Sequence, residues 1–348
     1  MQPTSTNCQS WSSFHERLHQ KLLATPDLLP KGAALLLAIS GGQDSMAMLG
    51  LLSDLRRIHN WQLFIWHGDH AWHDYSAEIA SGLENWCKEK YCKFFCDRDN
   101  LNQAKNESSA RNWRYHQLAS TIQKLSKINI KCSHVITAHT GSDQTETLLL
   151  NLSRGTDLSG MCSLRETRPL DKKMYGNDVT LVRPMFEFSR QETQEICAKL
   201  NLPIWLDPSN ESKEYKRNRI RHEVIPVLEE IFPGCSLRIA SLTNRLKNYK
   251  EDQNELTFLA LQSGLKPEGI ARNIFFDISE TSRAKILSLW LQRNNVPSQT
   301  SKKLMNLSRR IGAQQAPGSV NLTNGWVVKW NKEIVSLIRN NQQSAMNY

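Results

Sequence analysis

The sequence predicts an α/β fold, a doubly wound parallel sheet followed by a smaller, mainly helical C-terminal domain. Short apolar runs rich in β-forming residues alternate with helical patterns through about residue 200, which is typical of a parallel sheet with helices on both faces. After Pro208 these strand signals give way to basic and amphipathic helical patterns. We therefore expect a first domain over 1–230 and a second over 231–348.

Five apolar runs in the first domain have the length and composition of strands, and a helical pattern follows each of them. The predicted strands are 35–40, 62–70, 92–96, 134–139 and 180–184. The predicted helices are 44–58, 76–90, 109–127, 143–153 and 189–200. Ligands of such sheets bind at the carboxyl ends of the strands, near the point where the strand order reverses. Functional residues are therefore expected directly after strands.

The second half of the chain has a different pattern. Residues 213–232 form a predicted basic connecting helix, and a long amphipathic helix without a strand partner follows from Cys235. Near the C-terminus, alternating apolar positions surround an Asn324-Gly325 pair, which predicts a small hairpin.

The composition argues against a membrane-spanning or secreted protein. No stretch approaches the roughly 20 apolar residues of a transmembrane helix. The start of the chain has no apolar signal core, so a cytoplasmic location is expected, with organelle targeting as the alternative. The eight cysteines are scattered without a C-x-x-C pair, which favours a reducing compartment. Cys87, Cys92 and Cys96 are expected to be buried apolar side chains and not metal ligands.

Almost all of the excess positive charge lies in the C-terminal part of the chain. Residues 211–348 carry 21 lysines and arginines against 12 acids, which accounts for nine of the ten net charges. A basic half beside a neutral half is typical of a polyanion-binding module joined to a catalytic one. A solvated basic surface is the alternative.

The most informative stretch is "LLLAISGGQDSMAMLG", residues 35–50, where a buried strand ends at two glycines and a helix begins. Unpaired backbone N–H groups and the positive end of the helix dipole make such a junction an anion site. Ser40 and Ser45 can donate to phosphate oxygens, whereas the lysine of Walker-type loops is absent. Asp44 would repel bare phosphate, so we expect it to act through Mg²⁺.

The hexapeptide "SGGQDS" resembles the pyrophosphate loop of the N-type ATP pyrophosphatases, which break the α–β bond of ATP. The resemblance implies that ATP and Mg²⁺ are cofactors. It also implies nucleotide contacts from the whole loop, namely Ser40, Gly41, Gly42, Gln43, Asp44 and Ser45. A plain strand-turn-helix junction with a capping aspartate is the alternative reading of the isolated hexapeptide.

Further motifs in the same order resemble the tRNA(Ile)-lysidine synthetases, in a short form. They are "ESSARNWRYHQL" (107–118), "TAHTGSDQTETLLLNLSRGTDLSGM" (137–161), and the region from "RPMFEFSRQ" through "DPSN" to "RNRIR". The resemblance covers about residues 35–234 and is weaker beyond. It implies that ATP adenylates the C2 oxygen of the wobble cytidine in an isoleucine tRNA with a CAU anticodon. The ε-amine of free lysine then displaces AMP, which makes the protein a ligase that forms a carbon–nitrogen bond.

Two acids and a histidine are the candidates for the chemistry of the second step. Asp143 and Glu146 are three residues apart on a predicted helix, hence on one face. They could hold the incoming ammonium and take its proton, or Asp143 could share Mg²⁺ with Asp44. A solvated acidic helix start is the alternative. His139, directly after a strand, could steady the α-phosphate or the base, although an isolated histidine is more often a core residue.

Arginines are candidates for stabilising phosphate charge or for gripping the anticodon backbone. Arg111 and Arg114 lie three apart on one predicted helix and are assigned to the catalytic group, with surface roles as the alternative. The basic connecting helix supplies the expected tRNA contacts, Arg217, Arg219 and Arg221. The "DPSN" segment, with Asp207 and Asn210, is expected to form a turn before that helix. Three tryptophans that could stack on bases are assigned to the core, namely Trp113, Trp326 and Trp330.

The chain departs from the family pattern at several positions near these motifs. Thr140 and Ser142 replace a histidine and an aspartate, "AWH" at 71–73 replaces Gly-Leu-Arg, and Asp157 replaces a glycine. These changes, Trp72 included, put the lysine and adenine contacts in doubt but not the reaction class. Two rivals remain, another PP-loop enzyme such as a tRNA thiolase and a non-catalytic, nucleotide-sensing RNA-binding protein. The sequence does not determine the oligomeric state, for which a homodimer is one option.

Overall fold

The computed structural model describes residues 11–71, 75–101, 103, 107–170, 179–205, 215–312 and 315–339, and the chain divides into two compact units. The first unit ends at Leu246 and the second begins at Lys247. A compact unit is defined by its contacts, whereas a domain is defined by independent folding. The domain boundary near residue 230 therefore stays a prediction.

A six-stranded sheet forms the centre of the first unit. Its strands are β1 Ala34–Ala38, β2 Gln62–Asp69, β3 Lys93–Arg98, β4 Cys132–Thr137, β5 Thr167–Pro169 and β6 Thr180–Val182. They lie in the order β3-β2-β1-β4-β6-β5, and every neighbouring pair is parallel except β5 with β6. The predicted doubly wound parallel sheet is confirmed. Strand β5 was not predicted, because a three-residue edge strand is too short for a periodic signal.

Helices connect the strands and cover both faces of this sheet. They are α1 Ser13–Ala24, α2 Gln43–His59, α3 Ser76–Glu89, α4 Glu107–Lys127, α5 Gly141–Ser153, α6 Leu158–Met161 and α7 Arg190–Lys199. The basic segment then forms α8 Lys216–Arg219, a π-helical turn Ile220–Val224, and α9 Ile225–Ile231. All five helices predicted after the strands are present, and α1 and α6 are additional.

The central strand β1 shows why the sheet needs a cover on each face. Leu35, Leu36 and Leu37 are consecutive, and each is fully buried. Because side chains alternate along a strand, Leu35 and Leu37 pack with α2 on one face, whereas Leu36 packs with Trp113 and Leu118 of α4 on the other. Burial of a leucine stabilises the fold by about 1.5–3 kcal/mol, so the uninterrupted apolar run requires two layers of helices.

The second unit combines helices with a small antiparallel sheet. The helices are α10 Cys235–Gly264, which begins in the first unit, α11 Glu280–Arg293 and α12 Ser301–Ile311. The strands are β7 Leu265–Lys266, β8 Gly269–Ala271, β9 Gly318–Asn321, β10 Trp326–Trp330 and β11 Ile334–Arg339, in the order β7-β8-β11-β10-β9. More of its residues lie in helices than in strands, as predicted.

The predicted hairpin is the antiparallel pair β9 and β10. Asn324 and Gly325 occupy the connection with φ angles of 55° and 74°. Both values lie in the left-handed region that asparagine and glycine tolerate best, so this pair permits the tight reversal.

Two further expectations have mixed outcomes. None of the described helices is long and apolar enough to cross a membrane. Cys87 and Cys92 are buried as predicted, but Cys96 is exposed, so the prediction is wrong for that residue. Cys96 lies on β3, an edge strand with a neighbour on one side only, where fewer elements cover the side chain.

Among the described residues, no group of three histidines, cysteines or acids is arranged to hold a metal ion.

Candidate functional site

The glycine loop joins the carboxyl end of β1 to the start of α2. Gly41 has a φ of +87°, and a Cβ atom there would lie 2.8 Å from Cγ2 of Ile79, so this turn requires glycine. The Ser45 hydroxyl donates to the Gly42 carbonyl over 2.7 Å. Gly42 is the N-cap of α2 and supplies no side-chain cap. The first amides of α2 therefore receive no side-chain cap from Gly42, and uncapped amides of this kind can bind an anion.

Trp205 supports this loop from behind. Its backbone amide donates to the Gly41 carbonyl over 3.0 Å. Its ring packs so closely on α3 that a Cβ atom on Gly82 would lie 2.5 Å from Cζ2 of the indole. Trp205 was not predicted to contact the loop, because nothing in a lone tryptophan five residues after the helical pattern indicates contact with a loop distant in sequence.

Asp44 sits in the first turn of α2, against the start of α7. The Thr193 hydroxyl donates to Oδ1 over 2.5 Å, and Nη1 of Arg190 lies 3.4 Å from Oδ2. The side chain of Gln43 donates to the Arg190 carbonyl and to Thr193, which fixes α2 on α7. Burial raises the pKa of the Asp44 carboxyl, Arg190 opposes that shift, and the charge of Asp143 adds to it. A bound cation would relieve this repulsion between two carboxylates.

Asp143 and Glu146 share two arginines from the basic segment. Arg217 donates through Nε to Glu146 over 2.7 Å and through Nη2 to Asp143 over 2.8 Å. Arg221 donates to both oxygens of Glu146, through Nε over 2.6 Å and through Nη2 over 2.9 Å. Both acids are almost completely buried. The predicted proximity of the two acids is therefore present, but it is the arginines that neutralise them in this structure.

Asp143 has a second partner in its own helix. Oδ2 accepts the Thr140 amide at 2.7 Å and the Thr140 hydroxyl at 3.1 Å, which forms a capping box at the start of α5. Burial alone would raise the pKa of Asp143, but Arg217, His139, Arg221 and the Thr140 amide together lower it to about 2. Asp143 is therefore ionised throughout the physiological range.

His139 follows β4 and precedes this cap. Its Nδ1 lies 3.1 Å from the Thr137 hydroxyl. Burial lowers the pKa of His139 to about 3, against the attraction of Asp143 and with the help of Arg183, Arg217 and Arg114. The imidazole is neutral at physiological pH, so it can donate or accept a hydrogen bond but carries no charge.

These groups open onto one cavity of about 400 Å³ at the carboxyl ends of β1, β2 and β4. Its volume lies in the range of small-molecule sites. Predicted site residues form much of the lining, namely Ser40, Gly42, Gln43, Asp44, Ser45, Arg114, His139, Asp143 and Arg221. Glu146 and Arg217 lie behind them, in contact with Asp143 or Arg221 through the ion pairs described above.

Two predicted arginines lie elsewhere. Arg111 is exposed on α4, with its guanidinium 5.6 Å from the centre of the Tyr115 ring. Arg219 is exposed and pairs with Glu223 at 2.9 Å. Neither of them lines the cavity. Their predicted roles are not supported by proximity to the acids and stay predictions.

The end of β2 contributes three residues that were not singled out from the sequence. His67, Asp69 and His70 line the cavity. The His67 Nδ1 lies 2.8 Å from the Ile39 carbonyl, and Asp69 accepts the Ala71 amide over 2.7 Å. Burial lowers the pKa of His70 to about 4, and Arg114 contributes to that shift. Their position directly after a strand was the available signal.

The departures from the family pattern have local explanations where the structure describes them. Thr140 caps α5, and the Ser142 hydroxyl accepts the Arg190 amide over 3.1 Å. Asp157 caps α6 through the Gly160 amide at 2.9 Å. Trp72, His73 and the "DPSN" segment lie outside the described residues.

The three tryptophans that were assigned to the core divide in two groups. Trp113 and Trp330 are buried, as predicted. Trp326 is only half-buried, with the Arg339 guanidinium 5.6 Å from its ring centre. It lies at the start of β10 and packs against the margin of the hydrophobic core of the second unit.

The family description of the PP-loop domain matches residues 12–228 of this chain. A tRNA(Ile)-lysidine synthase of Prochlorococcus marinus is 46% identical over 330 residues, which cover 94% of this chain and 97% of that protein. One of Parasynechococcus marenigrum is 43% identical, over 94% of this chain and 95% of that protein. Among solved structures, the U34-tRNA thiolase NcsA of Methanococcus maripaludis is similar in fold, with a TM-score of 0.53 and 18% identity over 67% of this chain and 78% of that one.

Proposed function

This chain belongs to the tRNA(Ile)-lysidine synthase family of PP-loop proteins, and we propose on that premise that it converts the wobble cytidine of a CAU-anticodon isoleucine tRNA to lysidine. ATP activates the C2 oxygen as an adenylate and releases pyrophosphate. Free lysine then attacks C2 through its ε-amine, a C–N bond forms, and the C–O bond to AMP breaks. The cytoplasm, where tRNA and free lysine occur, is the proposed location.

The glycine loop is the proposed site for the phosphates of ATP. The uncapped amides of α2 and the hydroxyls of Ser40 and Ser45 are donors at one end of the cavity. Asp44 and Asp143 would hold Mg²⁺ together with phosphate oxygens. The raised pKa of Asp44, to which the charge of Asp143 contributes, fits two carboxylates that share a cation. When bound, Mg²⁺ would neutralise charge that develops on the phosphates.

His139 is proposed to orient the α-phosphate as a neutral hydrogen-bond donor. Its lowered pKa keeps it uncharged, so it adds direction to the site without competing with the metal or the arginines for charge. Arg114, which lines the same cavity, is the proposed cation for charge that develops during adenylation.

Asp143 and Glu146 are the proposed acceptors for the lysine ammonium, but their roles differ. A carboxyl group with a pKa of about 2 is a weak base, so Asp143 is better suited to hold a cation than to take a proton. Glu146 is therefore the proposed base. Arg217 and Arg221 now occupy both acids, and lysine must displace part of this ion-pair network before it attacks.

The observation that carries the proposal is that Asp44 of the uncapped helix and Asp143 of the capped helix line one cavity. An ATPase or a nucleotide sensor requires only the nucleotide-binding loop. A PP-loop ligase also requires a second set of groups for its nucleophile, within reach of the activated substrate.

The test is incubation of the full chain with ATP, labelled lysine and unmodified isoleucine tRNA. We expect pyrophosphate release that depends on tRNA, and incorporation of lysine into that tRNA. Sulfur incorporation without lysine would identify a thiolase instead. ATP binding without pyrophosphate release would identify a nucleotide-sensing RNA-binding protein. Asp44→Asn serves as the inactive control.

A further inference from the structure

Arginines of the first unit fall into two electrostatic classes. Arg190, Arg217, Arg219 and Arg221 each lie within 4 Å of a carboxylate oxygen. Arg111, Arg168 and Arg183 form no such pair with any described acid, although all three belong to one cluster. Neighbouring cations repel one another, and a polyanion bound beside them would relieve that repulsion.

Tyr115 is the centre of this arginine cluster, which consists of Arg111, Arg168 and Arg183. The ring centre of Tyr115 lies 5.3 Å from the Arg168 guanidinium and 5.6 Å from that of Arg111. Stacking on an aromatic ring holds a guanidinium in a defined orientation. Two such groups are thus positioned before any ligand arrives, which lowers the entropic cost of binding.

Arg183 provides the buried base of the cluster. Its side chain is 1% exposed, and its Nη1 donates to the Arg165 carbonyl. Nε of Arg183 and Nε of Arg168 are each buried without a hydrogen-bond partner among the described residues. A buried cation with an unsatisfied donor is costly, so its presence requires compensation. Burial lowers the pKa of Arg183 to about 10, and the charges of Arg111 and Arg168 contribute, which places all three within electrostatic reach.

The cluster adjoins the cavity. Arg183 follows β6 directly, beside β4, whose end carries His139. The charge of Arg183 contributes to the lowered pKa of His139. Arg111 lies on α4 three residues before Arg114, which lines the cavity. A nucleotide with its base in the cavity could therefore place neighbouring phosphates near the cluster.

We propose that Arg111 and Arg168, stacked on Tyr115 and supported by Arg183, bind the phosphodiester backbone of the tRNA anticodon arm next to the catalytic cavity. The inference rests on the proposed function and extends it to Arg168 and Arg183, which the sequence did not single out. A guanidinium fork matches two phosphate oxygens, and a backbone contact carries no base specificity. The cluster should thus contribute affinity equally for every tRNA, and discrimination should come from elsewhere.

The test measures the affinity of the full chain for unmodified CAU isoleucine tRNA across a salt series. Arg168→Gln should weaken binding roughly tenfold and reduce the log-log salt slope by roughly 0.7–0.9. The loss should be the same for a methionine tRNA with the same anticodon. Arg168→Lys should restore the slope and part of the affinity, because the charge returns without the planar fork. Arg57→Gln, at an exposed arginine at the far end of α2, is the matched control and should change neither.

Arg111→Gln is a second variant with a lower risk of misfolding, because Arg111 is exposed whereas Arg168 has a buried Nε. Folded variants of both arginines with unchanged affinity and slope would overturn the inference. A loss confined to the isoleucine tRNA would overturn it too, since that result requires base recognition. Lysidine formation by the unaltered chain is measured in parallel. If it succeeds while the variants bind normally, only the inference fails; if the unaltered chain binds no tRNA, the proposed function fails with it.

Discussion

Helices α2 and α5 begin at the same edge of the sheet, after the neighbouring parallel strands β1 and β4, yet their first turns are opposite in chemistry. The start of α2 has glycine at its N-cap and no side-chain acceptor. The start of α5 is closed by Thr140 and Asp143 in a capping box. One helix therefore keeps its positive end for an incoming anion, while the other neutralises its own and presents carboxylates for a cation.

Neighbouring helix starts in one sheet can thus be specialised by their cap residues alone. We propose that the start of α2 binds ATP and that the start of α5 binds lysine. Asp44 of α2 and Asp143 of α5 line the same cavity. Substitutions that exchange or erase this difference should affect the two half-reactions unequally.

The largest effect is expected from Asp44→Asn, which should reduce adenylation at least about a hundredfold. Because burial raises the pKa of Asp44, the ionised carboxylate opposes folding at neutral pH, and the variant should be as stable as the original or more so. Pyrophosphate release and thermal unfolding measure the two effects. Near-normal release by a folded variant would eliminate the metal role.

Glu146→Gln should reduce lysine transfer on the order of a hundredfold while adenylation continues, so that adenylated tRNA accumulates. The substitution also removes the carboxylate charge that pairs with Arg217 and Arg221. The uncompensated positive charge should lower the free energy of unfolding by about 3–5 kcal/mol. Quenched-flow separation of adenylated and lysidine-containing tRNA measures the first effect. Equal loss of both half-reactions would favour metal binding by these acids instead.

Truncation tests whether the second unit contributes RNA affinity. A fragment of residues 1–230 should bind ATP but bind tRNA poorly, with a shallower salt slope, because 211–348 carries most of the excess positive charge. A fragment ending at Leu246 is the better reagent, since the Thr145 hydroxyl donates to the Ser236 carbonyl over 2.6 Å and Gln144 contacts Asn244. Equal salt slopes of tRNA affinity for the fragment and the full chain would show that the C-terminal positive charge is a solvated surface that does not contact tRNA.

Gly42→Asp would give α2 the cap that it lacks. A Cβ atom at Gly42 meets only Ser40 Oγ at 3.5 Å, so a side chain fits. The new carboxylate should stabilise the helix start by about 0.5–1 kcal/mol and weaken ATP binding roughly tenfold by occupying its amides. Gly42→Ala is the control for size. Calorimetric ATP binding decides the matter, and unchanged affinity in Gly42→Asp would show that phosphate binds elsewhere.

Near neutral pH, the smallest effect is on the pH dependence of stability. The pKa of His139 falls from 6.5 to about 3 on folding, so below pH 6.5 the unfolded chain binds a proton that the folded chain does not. Stability should therefore decrease as the pH falls from 6.5 toward 3. His139→Gln removes this difference of one bound proton. The free energy of unfolding should then decrease less steeply with falling pH, by up to about 1.4 kcal/mol per pH unit. Urea unfolding at several pH values measures it, with exposed His116→Gln as the control; an unchanged slope would show that His139 is readily protonated in the folded chain.

The sequence predicted most of the first unit because its signals are local. An apolar run such as 35–37, two glycines and an acid at fixed spacing specify strand, turn and helix without reference to distant residues. The contacts that join distant segments were not predictable in this way. Nothing near Trp205 indicates that its amide holds Gly41, and nothing near Thr193 indicates that it binds Asp44.

The contacts of the arginines also could not be predicted from the sequence. Arg217 and Arg221 were expected to bind tRNA, but only the folded chain shows that they pair with Asp143 and Glu146. The stacking of Arg168 on Tyr115 joins an edge strand without a sequence signal to α4. Side-chain pairing across elements depends on the relative positions of those elements, which periodicity does not encode.

The most direct measurement of the central claim is a parallel determination of both half-reactions in Gly42→Asp and Glu146→Gln. Pyrophosphate release reports adenylation, and mass spectrometry of the tRNA reports lysidine. If α2 serves ATP and α5 serves lysine, Gly42→Asp should lose adenylation and recover it at high ATP, whereas Glu146→Gln should adenylate normally and accumulate the intermediate. Identical loss of adenylation in both variants, unrelieved by ATP, would contradict the division of labour between the two helix starts.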